Sequence, residues 1–154
     1  MDEGRFIVER RITRRVFNYW QSLCAGRTMP QENDMNPEIL GEDWRYSFLL
    51  QTRDIKHIEQ FNFTYLGEGI LAAYHQAGID MDNLFLIGPN AFYLAPHFLH
   101  IVNTRQPLIE DNYFFANSGH KILYRQCLLP IGTGKRVESV FGAMLFKPAL
   151  GAKG

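Results

Sequence analysis

The 154-residue chain has little cysteine, no net charge and no long apolar run. Its two cysteines, Cys24 and Cys127, are far apart and form no CxxC pair, so the sequence predicts reduced thiols and neither a zinc cage nor a redox motif. Sixteen Lys and Arg residues balance sixteen Asp and Glu residues, which argues against a dedicated nucleic-acid binder because such a protein needs an excess of cations.

Membrane and secretion signals are also absent from the sequence. No apolar run approaches the roughly 18 residues of a membrane span. Residues 1–5 lack the basic and apolar regions of a secretory leader. We therefore expect a cytoplasmic protein without a membrane span.

What the sequence has in quantity is apolar material, since 46% of its residues are hydrophobic and 14% are aromatic. This content is sufficient for a folded core, and the length fits one ordinary domain. We predict an N-terminal tail at 1–9, a single domain at 10–147 and a flexible C-terminal tail at 148–154.

The segment from Arg10 to Leu23 has the pattern of an amphipathic helix. Such a helix must bury its apolar stripe, either against the sheet of its own domain or against the same helix of a second copy. For the second case, a homodimer, the candidate interface residues are those of the stripe: Ile12, Val16, Tyr19, Trp20 and Leu23.

Alternating and helical patterns predict the remaining elements. In chain order, these are a short helix at 37–41, strands at 44–52 and 57–66, helices at 67–78 and about 90–103, and strands at 108–116, 121–129 and 137–146. In the second strand, Phe61, Phe63 and Tyr65 alternate with polar residues, which predicts one buried face. Pro96 falls inside the last helix, which therefore kinks there or begins its regular part there. The hairpin order predicts an α+β domain with a five-stranded antiparallel sheet and helices on one face.

Two glycine runs are similar to nucleotide-binding motifs. Residues 67–72 match a G-x-G-x-x-A turn, but a dinucleotide site needs a parallel crossover, whereas the strands on either side are predicted to form antiparallel hairpins. Residues 132–135 are not a P-loop, because Arg136 stands where Ser or Thr must bind magnesium. The sequence also offers no nucleophile motif and no paired carboxylates, so we predict that the protein is not an enzyme.

His97 and His100 lie three positions apart in a predicted helix and could bind a metal or haem iron from one helix face. The sequence identifies no third protein ligand, and we favour ordinary half-buried histidines. We therefore predict no cofactor and no metal site, and haem remains an alternative.

Four segments carry a resemblance to a known family, and together they span about residues 10–147. They are 17–23 with Gly26, Arg27 and Pro30, then 61–67, then 105–107, and finally 124–131. In order and spacing, they resemble a PAS domain, in a bacterial single-domain subfamily once classed as a domain of unknown function. The resemblance implies the sheet order 2-1-5-4-3, with the N-terminal helix packed on the outer sheet face or dimerising.

The resemblance also implies a function. We expect a sensory or interaction module in signal transduction that a small molecule or a partner protein biases, with the N-terminal helix and the sheet passing on the response. The ligand pocket would lie between the sheet and the helices at 67–77 and 90–103, and the candidates to line it are Phe63, Tyr65, Tyr74, Phe92, His97, His100, Tyr124 and Gln126. A haem or metal sensor using His97 or His100 is one alternative, and a small enzyme using the same cavity is a second.

Overall fold

The structure, a computed structural model, describes residues 2–52, 62–76, 89–115, 119 and 121–148. Within these residues, the helices are α1 (Asp2–Cys24), α2 (Pro37–Leu40), α3 (Glu68–Gln76) and α4 (Pro89–Thr104), with 3-10 turns at Glu32–Asp34 and Gly41–Tyr46. The strands are β1 (Ser47–Gln51), β2 (Asn62–Leu66), β3 (Leu108–Phe115), β4 (Lys121–Thr133) and β5 (Arg136–Pro148).

The five strands form one antiparallel sheet in the order β2-β1-β5-β4-β3. This confirms the predicted fold class and sheet order. The first strand is shorter than predicted, because residues up to Tyr46 belong to a 3-10 turn and β1 begins at Ser47. Helix α1 begins at Asp2, within the segment 1–9 that the sequence analysis assigns to an N-terminal tail.

The predicted alternation does not hold between Phe63 and Tyr65, because the strand contains an irregularity there. Phe61, the third residue of the predicted pattern, lies outside the described residues. Phe63 pairs with Leu50 and Tyr65 pairs with Leu49, and the register shifts between these two pairs. Leu49 and Leu50 are adjacent in β1 and therefore point to opposite faces of the sheet. Their partners Tyr65 and Phe63 lie on opposite faces for the same reason.

Helix α1 packs on the outer face of the protein's own sheet. Val16 is fully buried, and the Trp20 indole Nε1 donates a hydrogen bond of 2.8 Å to the carbonyl oxygen of Pro130 in β4. The Tyr19 ring meets Phe141 of β5 edge to face, with 6.5 Å between the ring centroids. The helix ends at Cys24, where Ala25 and Gly26 take positive φ angles of 49° and 85°.

The predicted stripe is therefore occupied by the sheet. Ile12, Val16, Tyr19 and Trp20 are buried and Leu23 is half-buried. The structure shows the packing within one chain, and homodimerisation through the stripe stays a prediction.

Helix α4 lies on the opposite face, which we call the inner face. Phe98 and Ile101 are fully buried, and the Phe98 ring packs edge to face on Phe48 of β1 at 6.0 Å between centroids. The helical backbone continues through position 96, so the regular part of α4 does not begin at Pro96. The inner face between α4 and the sheet is the region where the pocket was predicted.

Candidate functional site

The candidate site lies on the inner face, where strands β3 and β4 pair beneath α4. Glu110 of β3 is in register with Gln126 of β4. Along β4, Gln126 lies two residues before Leu128, which is in register with Gly142 of β5 and through it with Phe48. Side chains in register share a face, so Glu110 and Gln126 lie on the face that α4 covers.

One carboxylate oxygen forms the centre of the site. Glu110 Oε1 accepts hydrogen bonds from Gln126 Nε2 at 2.7 Å and from the Tyr124 hydroxyl at 3.3 Å. His97 of α4 brings its Nδ1 atom to within 3.4 Å of the same oxygen. Three elements, α4, β3 and β4, therefore meet at a single acceptor, and we call these four residues the inner-face cluster.

The inner-face cluster is largely shielded from solvent. Gln126 is fully buried and Tyr124 is 3% exposed, while the side chains of Glu110 and His97 keep 17% and 29% exposure. The cluster therefore runs from a closed end at the β4 side chains to a partly open end at the helix.

Burial decides the protonation of the phenol in this cluster. It raises the pKa of Tyr124 well above the ordinary value of 10, and the negative charge of Glu110 and the hydrogen bond to Glu110 raise the pKa further. Tyr124 is therefore a neutral hydrogen-bond donor at physiological pH, and its role in the cluster is to hold the carboxylate of Glu110 in place.

The amide of Gln126 is only half satisfied. A carboxylate can only accept, so the amide nitrogen must face Glu110 and the amide oxygen must face away from it. That oxygen, Oε1, is buried and has no hydrogen-bond partner among the residues that the structure describes. A buried acceptor without a donor costs about 1–3 kcal/mol, so buried polar groups are normally paired.

The structure brings together three of the predicted site residues, His97, Tyr124 and Gln126. Phe63 shares their face but packs further along the sheet, edge to face with Phe48 at 5.8 Å. His100 is exposed at the surface of α4. The side chains of Tyr74 and Phe92 lie outside the described part of the chain.

Tyr65 is placed on the outer face and does not join the site. Its ring stacks on Trp44 at 4.5 Å between centroids, and its hydroxyl donates to the Trp44 carbonyl oxygen at 2.9 Å. The register shift in β2 is the physical reason, because it turns Tyr65 away from the face that holds Phe63.

Glu110 is the site residue that sequence reasoning missed. The strand bounds predicted from the sequence, 108–116 and 121–129, would place Ala116 opposite Lys121 and Glu110 opposite Cys127. The observed register instead pairs Phe115 with Lys121 and Glu110 with Gln126. A change of one residue moves a side chain to the other set of partners, so the sequence pattern could not assign Glu110 to this cluster.

The two cysteines are free and buried, as the reduced state predicted from their spacing requires. Burial raises the pKa of the Cys127 thiol to about 12, and burial also raises the pKa of Cys24. Neither thiol is therefore a reactive nucleophile, since reactivity depends on the thiolate.

Neither metal nor membrane signals emerge from the described residues. No group of three or more His, Cys, Asp or Glu residues among them is placed to hold a metal ion. None of the helices that the structure describes combines the length and the hydropathy that a membrane crossing requires.

The sequence was compared with known families and with curated proteins. No family model matches the chain, and no curated protein matches it.

Proposed function

We propose that the protein is a non-enzymatic binding module that accommodates a small molecule between α4 and the inner face of the sheet. The observation that carries the proposal is the buried Oε1 atom of Gln126, which has no partner among the described residues. It lies in a residue that also holds Glu110 and, through Glu110, contacts His97 of α4. A ligand donor at this atom would satisfy a polar group that the described residues leave unpaired.

Helix α4 is the element that such a ligand would influence. It is held on the sheet by the buried side chains of Phe98 and Ile101 and by the contact between His97 and Glu110. A ligand changes the position of a helix only when it binds two arrangements with different affinity. The resemblance of the sequence to PAS domains supports a sensory role for this change, and the sheet order agrees with that resemblance.

The proposal is tested by a thermal-shift screen of metabolites combined with native mass spectrometry of the purified protein. We expect at least one compound to raise the melting temperature of the wild type and not that of Gln126→Leu. The matched control is Gln51→Leu, the same chemical change at an exposed position of β1, which should keep the response. No stabilising compound and no bound species would overturn the small-molecule role and favour an interaction with a partner protein alone.

A haem-binding sensor is the second candidate function, and one observation favours it. His97 presents Nδ1 to the carboxylate of Glu110 at 3.4 Å, and iron- or zinc-binding histidines commonly have such a carboxylate on the ring nitrogen that does not bind the metal. A Soret band after addition of haemin that His97→Ala abolishes and His100→Ala retains would support this candidate. A protein that stays colourless with haemin would remove it.

A further inference from the structure

The inner-face cluster has an uneven supply of donors and acceptors, which defines the chemistry of its ligand. Gln126 Nε2 and the Tyr124 hydroxyl are donors, and both point to Glu110 Oε1. These donor atoms are directed at the carboxylate. The buried polar atom of the cluster that has no partner among the described residues is an acceptor, Gln126 Oε1.

The acceptor without a donor is Gln126 Oε1, which is buried and has no partner among the described residues. The carboxylate of Glu110, which accepts a hydrogen bond from the nitrogen of the same amide, adds one negative charge beside it.

We propose that this site takes a neutral or cationic ligand that presents N–H donors, such as an amidinium or a primary amide, and excludes carboxylates. An amidinium or amide can donate to Gln126 Oε1, whereas a carboxylate would place a further acceptor and a second negative charge beside Glu110. The inference rests on the proposed function and adds the chemical class of the ligand.

Three probes with the same aromatic ring test the inference: benzamidine, benzamide and benzoate. At pH 7.5, we expect benzamidine and benzamide to bind and benzoate to bind at least about tenfold more weakly, as measured by titration in ¹H–¹⁵N NMR spectra. The side-chain amide signal of Gln126 should shift with the first two probes. Gln126→Leu should abolish the preference, and Gln51→Leu should retain it.

The outcomes separate this inference from the proposed function. Benzoate that binds as tightly as benzamidine, or a Gln126 amide signal that does not move, would overturn the inferred preference for ligands with N–H donors, while the proposed binding function would stand. Failure of all three probes to bind would also overturn that preference. The proposed function would fail only if the metabolite screen were negative too. Glu110→Gln gives a second test if Gln126→Leu does not fold, because removing the negative charge should weaken benzamidine binding more than benzamide binding.

Discussion

Replacement of Trp20 by phenylalanine tests whether α1 is docked on its own sheet. Trp20 is 5% exposed, and its indole Nε1 donates a hydrogen bond of 2.8 Å to the carbonyl oxygen of Pro130. Trp20→Phe removes this donor from a buried carbonyl oxygen, which costs about 1–3 kcal/mol. The smaller ring also leaves a cavity that costs about 1 kcal/mol.

The free energy of unfolding should therefore fall by about 2–4 kcal/mol, a large share of the 5–15 kcal/mol that domains typically have. Urea unfolding followed by far-ultraviolet circular dichroism measures the loss without depending on tryptophan fluorescence. The control is Arg14→Ala, at an exposed position of the same helix, which should change the free energy by less than about 0.5 kcal/mol.

Protein concentration separates packing within one chain from packing between two chains. If α1 docks on its own sheet, the loss caused by Trp20→Phe is the same at two protein concentrations that differ by a factor of about 100. If the stripe instead held a second copy, the stability of the wild type would rise by about 2.7 kcal/mol over that range and Trp20→Phe would abolish the rise. That result, or a loss no greater than that of Arg14→Ala, would refute the reasoning.

Three further predictions follow from buried contacts. A Cβ atom at Gly142 would lie 1.9 Å from the Cys127 carbonyl oxygen, so Gly142→Ala should lower the free energy of unfolding in urea by about 3 kcal/mol or more. The control is Gly134→Ala, in open space at φ +63°, which should lower it by about 1–2 kcal/mol. Equal losses for the two variants would contradict the close approach at Gly142. Burial raises the pKa of the Cys127 thiol to about 12, so the stability that the neutral thiol contributes is complete below pH 9 and is lost as the pH rises towards 12. Between pH 9 and 11, the free energy of unfolding of the wild type should therefore fall more steeply than that of Cys127→Ala. Parallel pH curves for the two proteins would refute the burial of this thiol. Tyr124→Phe removes a donor to Glu110 and should cost about 1.5–3 kcal/mol, less in a Glu110→Gln background; strictly additive losses in this double-mutant cycle would show that the two groups do not interact.

The sheet and its helices could be predicted from the sequence because their patterns are local. The period of three and four in α1 and the hairpin order of the last three strands need only neighbouring residues to be recognised. The short helix predicted at 37–41 is present as α2, and the Asn36 side chain caps its start by accepting a hydrogen bond from the backbone N–H of Glu38 at 3.1 Å.

The candidate site could be predicted only in part, because it depends on registers that the sequence pattern does not determine. Tyr124 and Gln126 lie two positions apart in the same strand and therefore on one face of the sheet, so the sequence pattern could place both of them at the site. Glu110 depends on the register between β3 and β4, and Tyr65 depends on the irregularity in β2. The β3–β4 register differs by one residue from the register that the predicted strand bounds imply, and β2 departs by one residue from regular alternation. A shift of one residue is enough to move a side chain to the other face of the sheet.

The docking of α1 has a consequence for the order of events during synthesis. Trp20 and its partner Pro130 are separated by 110 positions, and the strands that cover the apolar stripe of the helix, β4 and β5, are the last elements of the described chain to be made. The helix therefore leaves the ribosome long before its binding surface exists, and its stripe stays exposed to chaperones or to other chains in the meantime. A nascent chain that stalls before β4 should consequently be captured through α1, and completion of the final hairpin should release it.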